Sequence, residues 1–198
     1  MIVDLSFSIR GKSIPLDHGY ALFGAISRIL PNLHERRAWA IHPVAGTRLG
    51  PGILGLTSRS SLTLRAPASD IEQLLPLSGK SLELDGHRVI VGTPNVHPLR
   101  AAPRLRSRFV TIKGGNETPE AFQTLAARAI ARLAEECSHL KDARLRVGQR
   151  RVMRVGQHTV VGFSADVEVT PDASLVLQAK GLGGRRHMGA GVFIPARN

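Results

Sequence analysis

A chain of 198 residues with 27 Lys plus Arg against 15 Asp plus Glu carries a formal charge of +12, which points to a polyanionic partner, nucleic acid first. An apolar fraction of 42% excludes intrinsic disorder, and the length admits one domain or two of about 100 residues each. There is no apolar run of about 18 residues, Met1 leads straight into strand-like sequence, and Cys137 is the only cysteine, so a cytoplasmic protein with no membrane span, no internal disulfide and no Cys-x-x-Cys or His-Glu-x-x-His metal site is expected.

In chain order, residues 2–10 alternate, with Leu5, Phe7 and Ile9 on one side and Asp4, Ser6, Ser8 and Arg10 on the other, as a half-buried strand does. A helix is expected after Pro15, with Asp17 as N-cap and Leu22, Ile26, Ile29, Leu30 and Leu33 on one stripe, ended by Pro31. Residues 38–42 read as a short strand, the glycine-rich stretch 46–55 as a loop, 61–65 as another strand, and 67–75 as a short helix. Residues 80–91 hold two strand segments around the turn Leu84-Asp-Gly-His87. The stretch from Thr93 to Pro103 has three prolines and little periodicity and reads as a linker.

The same order then recurs. Residues 104–113 form a strand, and Thr118-Pro119-Glu120 supplies an N-cap, a proline at the first helical position and a first-turn acid. Phe122, Leu125, Ala126, Ala129, Leu133 and Cys137 share one face of that helix. Two strands, 143–155 and 159–169, make a hairpin through Gly156-Gln157; a helix over 171–180 and a last strand over 191–194 complete the chain. The simplest architecture is α+β, two tandem ferredoxin-like βαββαβ domains with antiparallel sheets, one over 1–96 and one over 103–198.

Charge is concentrated in the second half, where residues 100–198 hold +9 of the +12. Arg104, Arg106 and Arg108 alternate on one strand, so their guanidinium groups lie on one face about 6.5–7 Å apart, close to the repeat of a nucleic-acid backbone. Lys113 follows them; Arg144 and Arg146 repeat the pattern, and Arg150, Arg151 and Arg154 extend it with no acid between 144 and 154. A ladder of phosphate contacts competes with an ordinary solvated sheet face, which would interleave acids. With aromatics at 4%, base stacking on a sheet is disfavoured, and recognition through backbone and shape fits better.

The segment Gly181-Leu-Gly-Gly-Arg-Arg-His-Met-Gly-Ala-Gly-Val-Phe193 places Gly181, Gly183, Gly184, Gly189 and Gly191 between a helix and a strand, beside Arg185, Arg186 and His187. Glycines there permit positive φ and bring N–H groups close to an anion, so a phosphate-contacting loop is expected over a plain tight connection. The order helix-then-strand is the reverse of a Rossmann fingerprint, and no Walker A lysine follows. Among eight histidines, His34 stands out: it sits past the first helix, behind Ser27 and beside Arg36 and Arg37, a base, a hydroxyl and two cations together.

The terminal glycine segment and the stretch Asp17-His-Gly-Tyr-Ala-Leu-Phe-Gly-Ala-Ile-Ser-Arg-Ile-Leu30 with Leu33-His-Glu35 resemble the CRISPR repeat-processing endoribonuclease family of the RAMP superfamily. The resemblance implies metal-independent cleavage of precursor transcripts within the repeat. A 2′-hydroxyl attacks the adjacent phosphate and leaves a 2′,3′-cyclic phosphate and a 5′-hydroxyl. It carries His34 over as general base or acid and Ser27 as the residue that holds the 2′-hydroxyl, with His18 and His42 in reserve. The family's oxyanion-stabilising lysine has no counterpart, and Arg36 or Arg37 takes its place. No cofactor or metal is implied. The partner is CRISPR repeat RNA, hairpin or single-stranded; other effector-complex subunits are further candidates. The alternative is a non-cleaving RNA-binding subunit of the same superfamily.

Overall fold

The computed structural model describes residues 1–114 and 118–196, so the last two residues of the domain expected over 103–198 lie outside it. The chain divides into two compact units, Met1–Pro98 and Leu99–Asn198.

The first unit runs β1 (Ile2–Arg10), β2 (Ser13–Pro15), α1 (Gly19–Ser27), β3 (Ala40–Ile41), β4 (Thr47–Gly50), β5 (Ile53–Gly55), β6 (Ser61–Pro67), α2 (Ile71–Leu74), β7 (Ser81–Leu84) and β8 (His87–Pro98). Its main sheet has the order β3-β6-β1-β8-β7 and is antiparallel throughout. Taking β1, α1, β3, β6, α2 and β8 as the βαββαβ repeat, the strands lie second, third, first, fourth, which is ferredoxin-like. Leu5 and Phe7 pack into one core with Leu62, Leu64, Leu22, Ile26 and Leu33, and Val3 is buried in the same alternation, while Asp4 and Ser6 face the other way.

The second unit gives the same order with β9 (Arg104–Val110), α3 (Pro119–Glu136), β10 (Arg144–Val155), β11 (His158–Glu168), α4 (Pro171–Lys180) and β12 (Ile194–Pro195), arranged β10-β11-β9-β12. Both long helices start by one device. Thr118 accepts a hydrogen bond from Ala121 N–H at 3.2 Å and Thr170 from Ala173 N–H at 3.3 Å, each followed by proline at the first helical position.

Four local expectations need correction. The stretch 46–55 is no loop: β4 and β5 form a hairpin that pairs with β2 in a separate three-stranded sheet. Residues 93–98 belong to β8 and pair along β1, Phe7 opposite Pro94 and Val3 opposite Pro98. These prolines are four apart and share one edge of the strand; β7 does not extend that far, so no ladder hydrogen bond is lost. Helix α1 begins at Gly19 with His18, not Asp17, at its N-cap; the His18 ring makes no capping bond and instead anchors the helix entry between the Pro15 carbonyl and the Val44 N–H. The final strand is shorter than 191–194, since Gly191 sits at φ +65°, outside strand geometry.

Asp4 and Arg65 stand opposite each other in the β1–β6 register. The guanidinium is fully buried and bidentate, Nε to Oδ1 at 2.7 Å and Nη2 to Oδ2 at 2.8 Å, and His42 Nε2 lies 3.2 Å from Oδ1. Burial alone would raise the Asp4 pKa, but the hydrogen bonds from Arg65 and His42 outweigh it and hold the carboxyl well below the usual carboxylate range. An unfolded aspartate titrates near about 3.9, so this contribution is complete above that pH and is lost as pH falls toward the lower folded value. Asp4→Ala strands a buried cation and should cost about 3–5 kcal/mol in urea unfolding at pH 7. The gap from the parent should narrow as the pH is taken below 4 in the same measurement.

Candidate RNA-contacting and catalytic sites

The first site is the turn that follows α1. Pro31–Glu35 is a single 3₁₀ stretch with Leu33 buried in the core and His34 turned outward, its side chain 65% exposed. His34 Nδ1 lies 3.1 Å from the Pro31 carbonyl. A carbonyl can only accept, so Nδ1 carries a proton, and in the neutral ring Nε2 is the nitrogen with the lone pair, on the outward side of the turn. Glu35 Oε1 is 3.6 Å from Nε2, placed to stabilise the ring once it has taken a proton. Arg36 and Arg37 come directly after, Arg36 with its guanidinium 5.7 Å from the centre of the Trp39 ring and Arg37 exposed.

Other residues expected at this site are elsewhere. Ser27 Oγ is buried and without a hydrogen-bond partner among the described residues, so its hydroxyl faces the interior and not a substrate. His18 is 3% exposed; Nδ1–H donates to the Pro15 carbonyl at 3.0 Å and Nε2 accepts from Val44 N–H at 2.9 Å. Both nitrogens are spent on the fold, which leaves nothing to move a substrate proton. His42 is tied into the Asp4–Arg65 pair.

The second site belongs to the C-terminal unit. The arginine ladder is interleaved with acids by the sheet, although not by the sequence. Register places Glu168 between Arg104 and Arg144, and Asp166 between Arg106 and Arg146. Arg106 Nε is 2.7 Å from Asp166 Oδ1, which raises its pKa, the hydrogen bond contributing most. This face is an ordinary solvated sheet surface of mixed charge, not a phosphate ladder. Arg108 is exposed on the same strand. Arg151 is half-buried and donates to Gln149 Oε1 at 3.3 Å, and Arg154 is exposed.

Unbalanced positive charge lies instead in a cleft of about 960 Å³ lined by Lys113, Arg150 and Arg185 together with Thr111, Gly183 and Gly184. No acidic side chain lines it among the described residues. The glycine segment forms one wall and is pinned to the end of β9: Gly184 N–H donates to Thr111 O at 3.1 Å and Gly191 N–H to Phe109 O at 2.7 Å. Its glycines have different reasons to be there. Gly181, Gly183, Gly189 and Gly191 all have positive φ, and a Cβ on Gly183 would stand 2.2 Å from the Thr111 carbonyl oxygen. Gly184 has neither constraint; a Cβ there meets open space beside the cleft. Arg186 is not a cleft residue. Its Nη2 donates to the Ala179 carbonyl at 2.8 Å, closing the last turn of α4, and its side chain crosses Gly181. His187 is half-buried next to it.

Arg185 holds a left-handed backbone, φ +62°, where glycine would be cheaper, so this position is chosen for its side chain. Denaturation midpoints should separate these roles. Gly183→Ala loses at least about 2 kcal/mol, Gly184→Ala stays within about 0.5 kcal/mol, and Arg185→Gly is at least as stable as the parent.

With this geometry in place, comparison with known proteins is direct. The Cas6 family model, described as "Cas6 Crispr", matches residues 3–198. The chain is 39% identical over 196 residues to the CRISPR-associated endonuclease Cas6 of Myxococcus xanthus (strain DK1622), covering 98% of this chain and 82% of that protein. Among solved structures, a CRISPR-associated Cas6 protein shares the fold at a TM-score of 0.69 and 14% identity over 100% of both chains. A Cas6-related protein from Pyrococcus furiosus does so at 0.68 and 13%, also over 100% of both. A fold of two tandem ferredoxin-like units, a match across nearly the whole sequence and a close relative that is an endonuclease agree: the chain belongs to the Cas6 family of CRISPR-associated proteins.

Proposed function

We propose that this protein is an endoribonuclease that cuts CRISPR precursor transcripts within the repeat, with His34 as the proton-transfer group. The observation that carries the reading is the fixed tautomer of an exposed imidazole, Nδ1–H on the Pro31 carbonyl and Nε2 open, followed at once by two arginines.

The chemistry follows from these groups. Nε2 takes the proton of a ribose 2′-hydroxyl, and the oxygen attacks the adjacent phosphorus. The new 2′-O–P bond forms as the P–O5′ bond breaks, leaving a 2′,3′-cyclic phosphate; the 5′ oxygen leaves with a proton returned from the imidazolium or from water. Negative charge grows on the non-bridging oxygens, which Arg36 and Arg37 are placed in sequence to meet. Ser27 takes no part, its hydroxyl being buried. In the C-terminal unit, Lys113, Arg150 and Arg185 hold phosphates of the repeat, with Gly184 allowing close approach of the RNA backbone.

Incubation of purified protein with its repeat RNA in EDTA should give one cut with a 2′,3′-cyclic phosphate end. His34→Ala should slow single-turnover cleavage by about 10²–10⁴-fold without loss of affinity. A parent that binds without cutting would make the protein the non-cleaving RNA-binding subunit instead, and an unaltered rate in the His34 variant would remove the imidazole from the mechanism.

The cleft makes a separate prediction. In salt titrations of RNA binding, Lys113→Ala, Arg150→Ala and Arg185→Ala should each reduce the slope of log affinity against log salt by about 0.7–0.9. Arg144→Ala and Arg146→Ala should change it less, because Glu168 and Asp166 already balance those positions.

A further inference from the structure

Resting on that reading, we infer that Trp39 and Asp70 are positioning residues that hold the Arg36 guanidinium in place for the cleavage step. Arg36 lies 5.7 Å from the centre of the Trp39 ring, within the range of a cation–π contact. Arg37, one residue on, has no side-chain partner among the described residues and keeps its full rotamer freedom. The two cations next to His34 are therefore unequal, and only Arg36 is prepared before substrate arrives.

The ring that holds Arg36 is itself fixed. Trp39 is 3% exposed, and its indole N–H donates to Asp70 Oδ2 at 2.7 Å. The other carboxylate oxygen accepts from Ser69 Oγ at 3.1 Å, so Asp70 is held on both sides. An ionised acceptor on the indole N–H makes a strong hydrogen bond and pushes electron density onto the ring face, which favours the cation stacked on it. The backbone is tied as well: Trp39 N–H donates to Arg36 O at 2.8 Å, and Arg36 N–H donates to Leu33 O at 3.2 Å, closing the turn that carries His34. Asp70, immediately before α2, thus fixes a cation two residues from the imidazole without reaching the substrate. A charge oriented in advance lowers the barrier more than one that must be collected during reaction.

The test measures single-turnover cleavage of repeat RNA and, separately, affinity for the same repeat with a 2′-deoxy nucleotide at the cut. Trp39→Leu and Asp70→Leu should slow cleavage by about 2- to 30-fold, the span of a cation–π contact, with affinity unchanged. Asp70→Asn, whose amide oxygen still accepts from the indole, should recover most of the rate. Trp39→Leu added to Arg36→Ala should cost nothing further, since both remove one interaction. Should Trp39→Leu fail to fold, Trp39→Phe keeps a smaller ring and loses the Asp70 bond, and should cleave no faster than Asp70→Leu and no slower than Arg36→Ala. Losses that multiply in the double variant, or Asp70→Leu at the parental rate, overturn the inference. A parent that binds the repeat uncut overturns the endonuclease reading together with it, whereas a cutting parent with Arg36→Ala fully active overturns this inference alone.

Discussion

In the N-terminal unit the constraint from which the functional geometry descends is the bidentate pair of Asp4 on β1 and fully buried Arg65 on β6. A slip of one residue between these strands would turn Asp4 toward the side occupied by Leu5 and bury an unpaired charge among aliphatic groups, at a cost no local rearrangement could offset. The pair therefore fixes the register, and the register fixes which side chains of β1 and β6 meet α1. That contact decides where the chain leaves the helix. Leu33 enters the same core as Leu5 and Leu64, and with Leu33 inside, the next residue of a 3₁₀ turn must point out.

His18 and His34 show how far local sequence reaches. Each is the fourth residue of a Pro-x-x-His turn, and each has Nδ1 at hydrogen-bond distance from the carbonyl of that proline, at 3.0 and 3.1 Å. The local device is the same and sets the same tautomer. The difference lies in Nε2: for His18 it meets the Val44 N–H, 26 residues away in the chain, while for His34 it meets solvent and Glu35. One imidazole becomes a buried structural strut and the other stays at the surface with Nε2 beside Glu35, through a contact no local reading contains.

Charge tells a similar story in the C-terminal unit. Along the chain, Arg144 to Arg154 is free of acids, and a phosphate ladder is a fair reading of it. In the sheet, β11 lies between β9 and β10 and inserts Asp166 and Glu168 between the arginines of its neighbours. The mixed face loses its claim to an anion, and the emphasis moves to the cleft beside the glycine segment, where Lys113, Arg150 and Arg185 meet from three separate segments. Within that segment, most glycines serve the backbone; Gly184 and Arg185, one unconstrained and one strained, are the positions whose identity the fold does not explain.

Sequence alone determined whatever rests on short-range periodicity and capping: alternation in β1, the Thr-Pro starts of α3 and α4, the hairpin at Gly156, the twofold βαββαβ order and the place of His34 in the turn after the first helix. Each of these is decided by residues a few positions apart. Tertiary structure decided that residues 93–98 extend β8, that the 46–55 stretch pairs with β2, that Ser27 and Arg186 serve the interior, and that Trp39 and Asp70 stand behind Arg36. Those outcomes depend on partners far along the chain, because a proline is tolerated or a hydroxyl buried according to what lies across from it in space.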